Sequence, residues 1–418
     1  MFENRKLEFK ERLTDTFLKT VTAFANYEGG KIIFGMNDHG VAIGLDENLE
    51  DFALAVENKI NDTIHPQPCY QLEINASERL VTLTVHPGTD KPYYYKHKSY
   101  RRNDTSTIEV DRLELSRLIL EGQNRAYEEI SAQDQALTFK KLEEKLKEVV
   151  GIERLTRDIE RTLQLYTKKD GYNNAAAILA DNNPFPGVDF AKIGEDINIF
   201  EKRETVHHQS ILEVYDRIMA LFKDYYIYEK VEGATRQRIE RIPERAFREA
   251  LANALVHRTW DTKEEIRVEA HDRFIQITSP GGLPSGISAE EYLAGRLSVL
   301  RNPILADVFY RLGLVEKFGT GILRILESYT GCARQPSFAI TEHTVSMTLP
   351  LIEKELHLGE DERAIYALLN QHIGRSMGEI AEQVSFGRSK IRSILNRLVE
   401  DRVVRVEGRG RGTKYFKI

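Results

Sequence analysis

Along Arg241–Trp260, RIPERAFREALANALVHRTW, apolar side chains at Phe247, Ala250, Leu251, Ala254 and Leu255 recur at the spacing of one buried helix face. Glu249, Asn253 and His257, each four residues from the next, form a second stripe along the same helix. Residues four apart stand one above the other, so a carboxylate, an amide and an imidazole line one edge. Pro243 sits where a first-turn proline is tolerated. Taken alone, the pattern equally describes an amphipathic helix with a solvated polar face.

The same periodicities place elements elsewhere. Phe17, Val21, Phe24 and Ala25 predict a helix capped by Asp15 or Thr14 and ended by Gly29-Gly30. Lys31–Met36 then reads as a buried strand, Asn37–Gly40 as a hairpin turn and Val41–Gly44 as the return strand. Tyr70–Ile74 and Arg79–His86 add strands; Arg112–Glu128, Thr138–Val149 and His207–Tyr228 read as helices. Asn173 and Asn174 suit a helix start, Pro184–Gly187 a turn, and Val188–Ile193 a strand. Beyond the polar-stripe helix come strands Glu265–Ala270 and Arg273–Ser279, a turn SPGGLPSG, and helices through RNPILADVFYRLGLVEKFGTGI. The tail carries helical patterns at Glu360–Gln371, Ser376–Gln383 and Arg388–Glu400. A β-hairpin, Val403–Val406 and Thr413–Ile418, follows around a glycine-rich turn.

Composition sets the class. The chain has 418 residues, 41% hydrophobic and 30% charged, which fits a soluble protein of several domains. No apolar run reaches the ~18 residues of a membrane span, and MFENRKLEFK is not a signal peptide, so a cytoplasmic location is expected. Cys69 and Cys332 are too few for a disulfide framework and read as reduced, buried thiols. The net charge of −6 is uneven: Gly359–Ile418 holds 12 Lys/Arg and 8 Asp/Glu, summing to +4 and leaving −10 elsewhere. A basic tail on an acidic chain points to a local nucleic-acid surface.

Candidate chemistry falls in three places. Lys91–Arg102, KPYYYKHKSYRR, interleaves four tyrosines with cations, including Lys96, Lys98, Arg101 and Arg102, and suits a phosphate backbone and unstacked bases. It also reads as a tyrosine-rich edge strand with a solvated basic face. Gly319-Thr320-Gly321 precedes a helix, where backbone N–H groups can face a phosphate. In the tail, Arg388, Ser389, Lys390 and Arg392 occupy the end of the last helix that enters a major groove in a helix-turn-helix. Arg409, Arg411 and Lys414 ride the following hairpin, which resembles the wing of a winged helix. A winged helix can also serve protein contacts.

Two stretches carry family resemblances. LEFK, AFANYEGG and IIFGMNDHGVAIGL resemble the Schlafen-type AlbA-like domain. That resemblance implies nucleic-acid binding or, in some members, a metal-dependent nuclease acting on RNA or single-stranded DNA, with Glu3, Glu8 and Asp38 in the matching positions. Those acids equally suit a surface ion pair and a turn aspartate. FREALANALVHR, ITSPGGLP, RNP and EKFGTGI resemble the divergent GHKL-type ATPase domain that commonly follows it. That resemblance implies ATP with Mg²⁺: Glu249 as base, and Asn253 as metal ligand. It also puts His257, Gly281, Gly282, Gly319, Thr320 and Gly321 around the nucleotide. The sequence departs from the family pattern at Ser279-Pro280-Gly281-Gly282, where the adenine-reading aspartate is missing.

The expected fold is α+β and multidomain. An AlbA-like domain spans 1–120, a linker 121–134, and a GHKL-like α/β sandwich with added helices 135–355. A winged helix-turn-helix occupies 359–418. The expected function is a homodimeric DNA-binding transcriptional regulator whose GHKL-like domain binds a nucleotide or holds the dimer. The alternatives are the nuclease and a non-catalytic scaffold.

Overall fold

The computed structural model describes residues 2–417 except 195, 197, 233–234, 285, 296–298, 317–319, 333, 353–358, 371–373, 401–403 and 409–412. The chain divides into two compact units, residues 1–330 with 334–351, and residues 331–333 with 352–418.

The larger unit holds two principal sheets. The first runs Leu7–Lys10, Gly30–Phe34, Leu80–Val85, Tyr70–Asn75 in spatial order; its first pair is parallel and the rest antiparallel. The helix Phe17–Asn26 packs on it through Phe17, Val21, Phe24 and Ala25, all buried. Its start has no side-chain cap, and Asp15 pairs with Lys59 at 2.7 Å instead of capping. Val41–Gly44 is not a strand. The segment returns antiparallel after the turn at residues 38–40 only as an isolated Ala42–Met36 bridge, with the peptide nitrogens of Ile43 and Gly44 both donating to the Gly35 carbonyl, while the sheet takes Leu80–Val85 as neighbour. A helix not anticipated, Leu49–Thr63, is capped by Asn48, whose side chain accepts from the nitrogens of Glu50 and Asp51.

The second sheet has six strands. Their spatial order is Phe200–Val206, Val188–Ile193, Ile266–Ala270, Phe274–Pro280, Thr344–Pro350, Ser337–Ile340. Only the Val188–Ile193 and Ile266–Ala270 pair is parallel. Ile211–Tyr226 and Glu244–His257 pack together on this sheet; Phe222 stacks on Phe247 with ring centroids 4.0 Å apart. The long helix therefore ends at Tyr226, and Ile227–Glu232 and Thr235–Glu240 form an exposed hairpin that helical periodicity had not shown. Linker residues Arg112–Gly122 are helical, followed by a 3-10 turn at Tyr127–Glu129. Arg117 in that linker forms a two-point ion pair with Asp261, at 2.7 and 2.9 Å.

The smaller unit comprises helices Glu360–Leu368, Met377–Ala381 and Arg388–Glu400. Beside them lies an antiparallel sheet ordered Arg375–Ser376, Lys414–Lys417, Val404–Glu407. Ile365, Ile380, Ile391, Leu395 and Leu398 make its core. Cys69 is exposed, which corrects the expectation of two buried thiols. No described helix is long and apolar enough to cross a membrane.

Candidate functional site

The polar stripe of Glu244–His257 faces a cavity of about 160 Å³. Glu249, Asn253 and His257 line it, one turn apart, while the opposite face of the helix buries Phe247, Ala250 and Leu251 in the core. Pro303, Ala306, Asp307 and Tyr310, from the helix Pro303–Arg311, form a second wall; Gly321 and Ile322 form a third. Tyr292, Val299 and Leu300 line it as well. Their sequence carries no periodic or motif signal for a site, so sequence reasoning missed them.

Burial sets the electrostatics. Glu249 is 4% exposed, and loss of solvent pushes its carboxyl pKa up, with Arg324 and Arg248 opposing the shift. Burial, aided by the Arg301 cation, holds His257 down to about 4, so the imidazole is neutral at physiological pH. Asp307 pairs with Arg311 at 2.6 Å and Glu316 with Arg324 at 2.8 Å.

The RNP motif has a structural task here. Arg301 donates to the Gly282 carbonyl at 2.6 Å. Asn302 donates to the carbonyls of Val256 and Arg258, at 2.7 and 2.9 Å, satisfying groups that a helix end leaves open. Pro303 opens the next helix at its first position. That helix start is held from the linker by buried Glu128, which accepts from the nitrogens of Ile304 and Leu305 at 2.5 and 3.0 Å. Arg258 is wholly buried, donating to the carbonyls of Glu264, Pro186 and Gly187 and lying over the Trp260 ring.

The remaining expected ligand contacts fall differently. Gly281 has φ +97°, and a Cβ there would sit 2.1 Å from Thr259 Oγ1; at Gly282 one would sit 2.4 Å from the Glu342 carbonyl. Both glycines serve close packing of the turn and lie off the cavity wall. Thr320 precedes the helix Gly321–Glu327 without capping it, and Gly319 lies outside the described residues. A Cβ on Gly321 would lie 2.3 Å from Glu249 Oε1 and 2.8 Å from Asn253 Nδ2. The Gly321 backbone is thus seated directly on the two side chains expected to serve Mg²⁺ and water.

In the N-terminal sheet region Glu3, Glu8 and Asp38 do not form a metal cluster, and no such group of three exists among the described residues. Glu3 accepts from the Phe9 nitrogen at 2.7 Å. Glu8 is buried and already engaged by Arg102, Lys10 and Thr20. These residues do not fit a catalytic cation, because the central carboxylate is neutralised from inside. Asp38 lies in an exposed turn. Arg102 is therefore an internal residue, not one offered to phosphate, and Arg101 pairs with Glu114 at 3.2 Å. Tyr93, Tyr95 and Tyr100 are buried in the core, leaving Lys96 and Lys98 exposed at the tip; Lys98 pairs with Glu109.

In the smaller unit Arg388, Ser389, Lys390 and Arg392 are exposed on the last helix, opposite buried Ile391, Ile394 and Leu395. Lys390 pairs with Asp361. Lys414 is exposed on its strand; Arg409 and Arg411 lie outside the described residues.

Comparison with known proteins matches two stretches. Residues 3–111 match the family model "Schlafen, AlbA_2", and residues 263–349 match "Putative ATP-dependent DNA helicase recG C-terminal". The chain accordingly holds a Schlafen/AlbA_2 domain and an ATPase-like domain of the RecG C-terminal type. The polar-stripe helix precedes the second matched stretch. Among solved structures, the DIP2311 protein from Corynebacterium diphtheriae is 21% identical over 99% of this chain and 92% of its own, with a TM-score of 0.49. The N-terminal domain of a RecG-related protein from Nitrosomonas europaea is 20% identical over 25% of this chain and 78% of its own, with a TM-score of 0.19. No curated protein matches the chain.

An ATPase-like domain directs attention to a nucleotide with Mg²⁺. Glu249 and Asn253, the side chains expected to serve water and Mg²⁺, lie together on the cavity wall beside Gly321, while Arg296, Lys317 and Gly319 lie outside the described residues. The wall presents Glu249, Asp307 and Glu316, all carboxylates.

Proposed function

We propose that this protein is a DNA-binding transcriptional regulator in which the smaller unit reads DNA and the cavity of the ATPase-like domain senses a ligand. One observation carries the reading. The helix Arg388–Glu400 is split between a buried apolar face, Ile391, Ile394, Leu395 and Leu398, and an exposed face. The exposed face begins with Arg388, Ser389, Lys390 and Arg392. Three helices followed by an antiparallel strand pair are the order of a winged helix, and cations at the start of its last helix suit base edges and flanking phosphates. The Schlafen/AlbA_2 and RecG-type matches suggest a nucleic-acid-related protein, which supports this role. Lys96 and Lys98 offer a second contact surface, to RNA or a single strand, and paired half-sites suit a homodimer.

The test is a gel-shift titration of the full chain against duplex DNA over a range of salt concentrations. Each phosphate contact contributes about 0.9 to the log–log slope. Arg388→Ala with Arg392→Ala should flatten that slope by about 1.8 if both reach phosphates. No binding by the full chain, or an unchanged slope and affinity in the double variant, sinks the proposal.

A further inference from the structure

We propose that the strand Phe200–Val206 is the surface through which two copies of this chain join, edge to edge and antiparallel, into one continuous sheet. This rests on the homodimer of the function proposed above and names its interface.

The inference starts from an open edge. Phe200–Val206 is the outermost strand of the six-stranded sheet and pairs on one side only, with Val188–Ile193. Among the described residues its backbone makes no hydrogen bond on the other side. Residues 200–203 and 205 are exposed, so a row of backbone donors and acceptors faces solvent, a template for a further strand. The strand contains neither proline nor glycine to blunt that edge. Lysine commonly keeps such edges apart, but here Lys202 has an acid placed to receive it in a second copy.

Symmetry sets the register. A two-fold axis perpendicular to the sheet keeps like faces together, and side chains alternate between faces, so facing residues have numbers of the same parity. Centred on Arg203, the axis uses the whole strand. Phe200 then faces the partner's Val206, Glu201 faces the partner's Thr205, and Lys202 faces the partner's Glu204. The two Lys202–Glu204 pairs join opposite charges, which stabilises antiparallel neighbours. Arg203 meets the partner's Arg203, but each is already neutralised within its own copy by Asp189, at 2.8 Å. Centring on Lys202 or Glu204 instead sets like charges on the axis and leaves two residues at one end unpaired. Ile199 and Phe200, 52% and 55% exposed, add an apolar contact at each end.

The test is sedimentation of the full chain over a range of concentrations, in which a dimer is expected. Lys202→Glu and Glu204→Lys each convert both facing pairs to like charges and should each weaken the dimer about tenfold or more. Mixed one to one, the two variants again face glutamate with lysine, so the mixture should recover a dimer that neither forms alone. Phe200→Ser, at an exposed side chain, should weaken the dimer with the melting transition retained. It covers the case in which Glu204→Lys, which also loses the ion pair with Arg217, fails to fold. Amide exchange in residues 200–206 should slow as the dimer forms. A monomer at every concentration, a dimer untouched by these variants, a mixture of folded variants that stays monomeric, or exchange independent of concentration overturns the proposal. DNA binding is read separately, on Arg388 and Arg392, so a monomer that still binds DNA sinks this interface alone.

Discussion

The Asn302 side-chain amide donates to the Val256 carbonyl at 2.7 Å, latching the start of one cavity helix to the end of another. Asn302 is 2% exposed and donates to the Arg258 carbonyl as well, so truncation leaves two buried acceptors without a donor. Asn302→Ala should destabilise the larger unit by about 1–3 kcal/mol. A lowered melting temperature is the expected readout. An unchanged one would show that the latch carries no stability.

Glu128 gives a pH dependence. Burial lifts its pKa to about 7, against hydrogen bonds from Leu305 and Ile304 that favour the anion. An acid whose folded pKa is raised binds its proton more tightly in the native state, so stability falls as pH rises between the unfolded value, about 4.5, and about 7. The loss across that window is on the order of 3 kcal/mol. Glu128→Gln, neutral at every pH, should flatten this part of the curve of stability against pH. An identical curve in the variant would refute the assignment.

Gly321 allows close approach, since a Cβ there would meet Glu249 Oε1 at 2.3 Å. Gly321→Ala forces the glycine-led helix away from the polar stripe or Glu249 away from the cavity. Overpacking of this kind costs about 1–3 kcal/mol. Lower thermal stability together with altered ligand affinity is expected; neither change would mean that the contact relaxes freely.

Arg102 neutralises Glu8 within the N-terminal sheet region. Arg102→Ala leaves a buried carboxylate with Lys10 and Thr20 alone. Breaking a buried ion pair from one side costs about 3–5 kcal/mol, and the remaining lysine places the expected loss near the lower end. Denaturant unfolding measures it. Retained stability would return Arg102 to the set of side chains available to nucleic acid.

Much of the site was legible because helical pitch is local. Spacing alone put Glu249, Asn253 and His257 on one edge, and the structure finds them along one cavity wall. The alternation of apolar and basic positions in Arg388–Glu400 is read off in the same way, since each residue's face follows from its number. Periodicity failed where the signal was long-range. The tyrosines of Lys91–Arg102 suggested stacking platforms, yet Tyr93, Tyr95 and Tyr100 turn into a core built from Phe24, Val56 and Leu83. Glu8 looked available because Arg102, 94 positions away, was not known to reach it.

The sequence by itself determined the registers of the helices it marked, the apolar faces they bury, and the polar stripe, because these depend on side-chain order over a few turns. Only the tertiary structure decided what the stripe faces. Glu249 is a buried carboxylate without a partner because Pro303–Arg311 and Gly321 close around it, and no spacing encodes that enclosure. Whether a polar group is wet, paired or left waiting is set by what folds over it from far along the chain, through desolvation and hydrogen bonding that no local pattern contains.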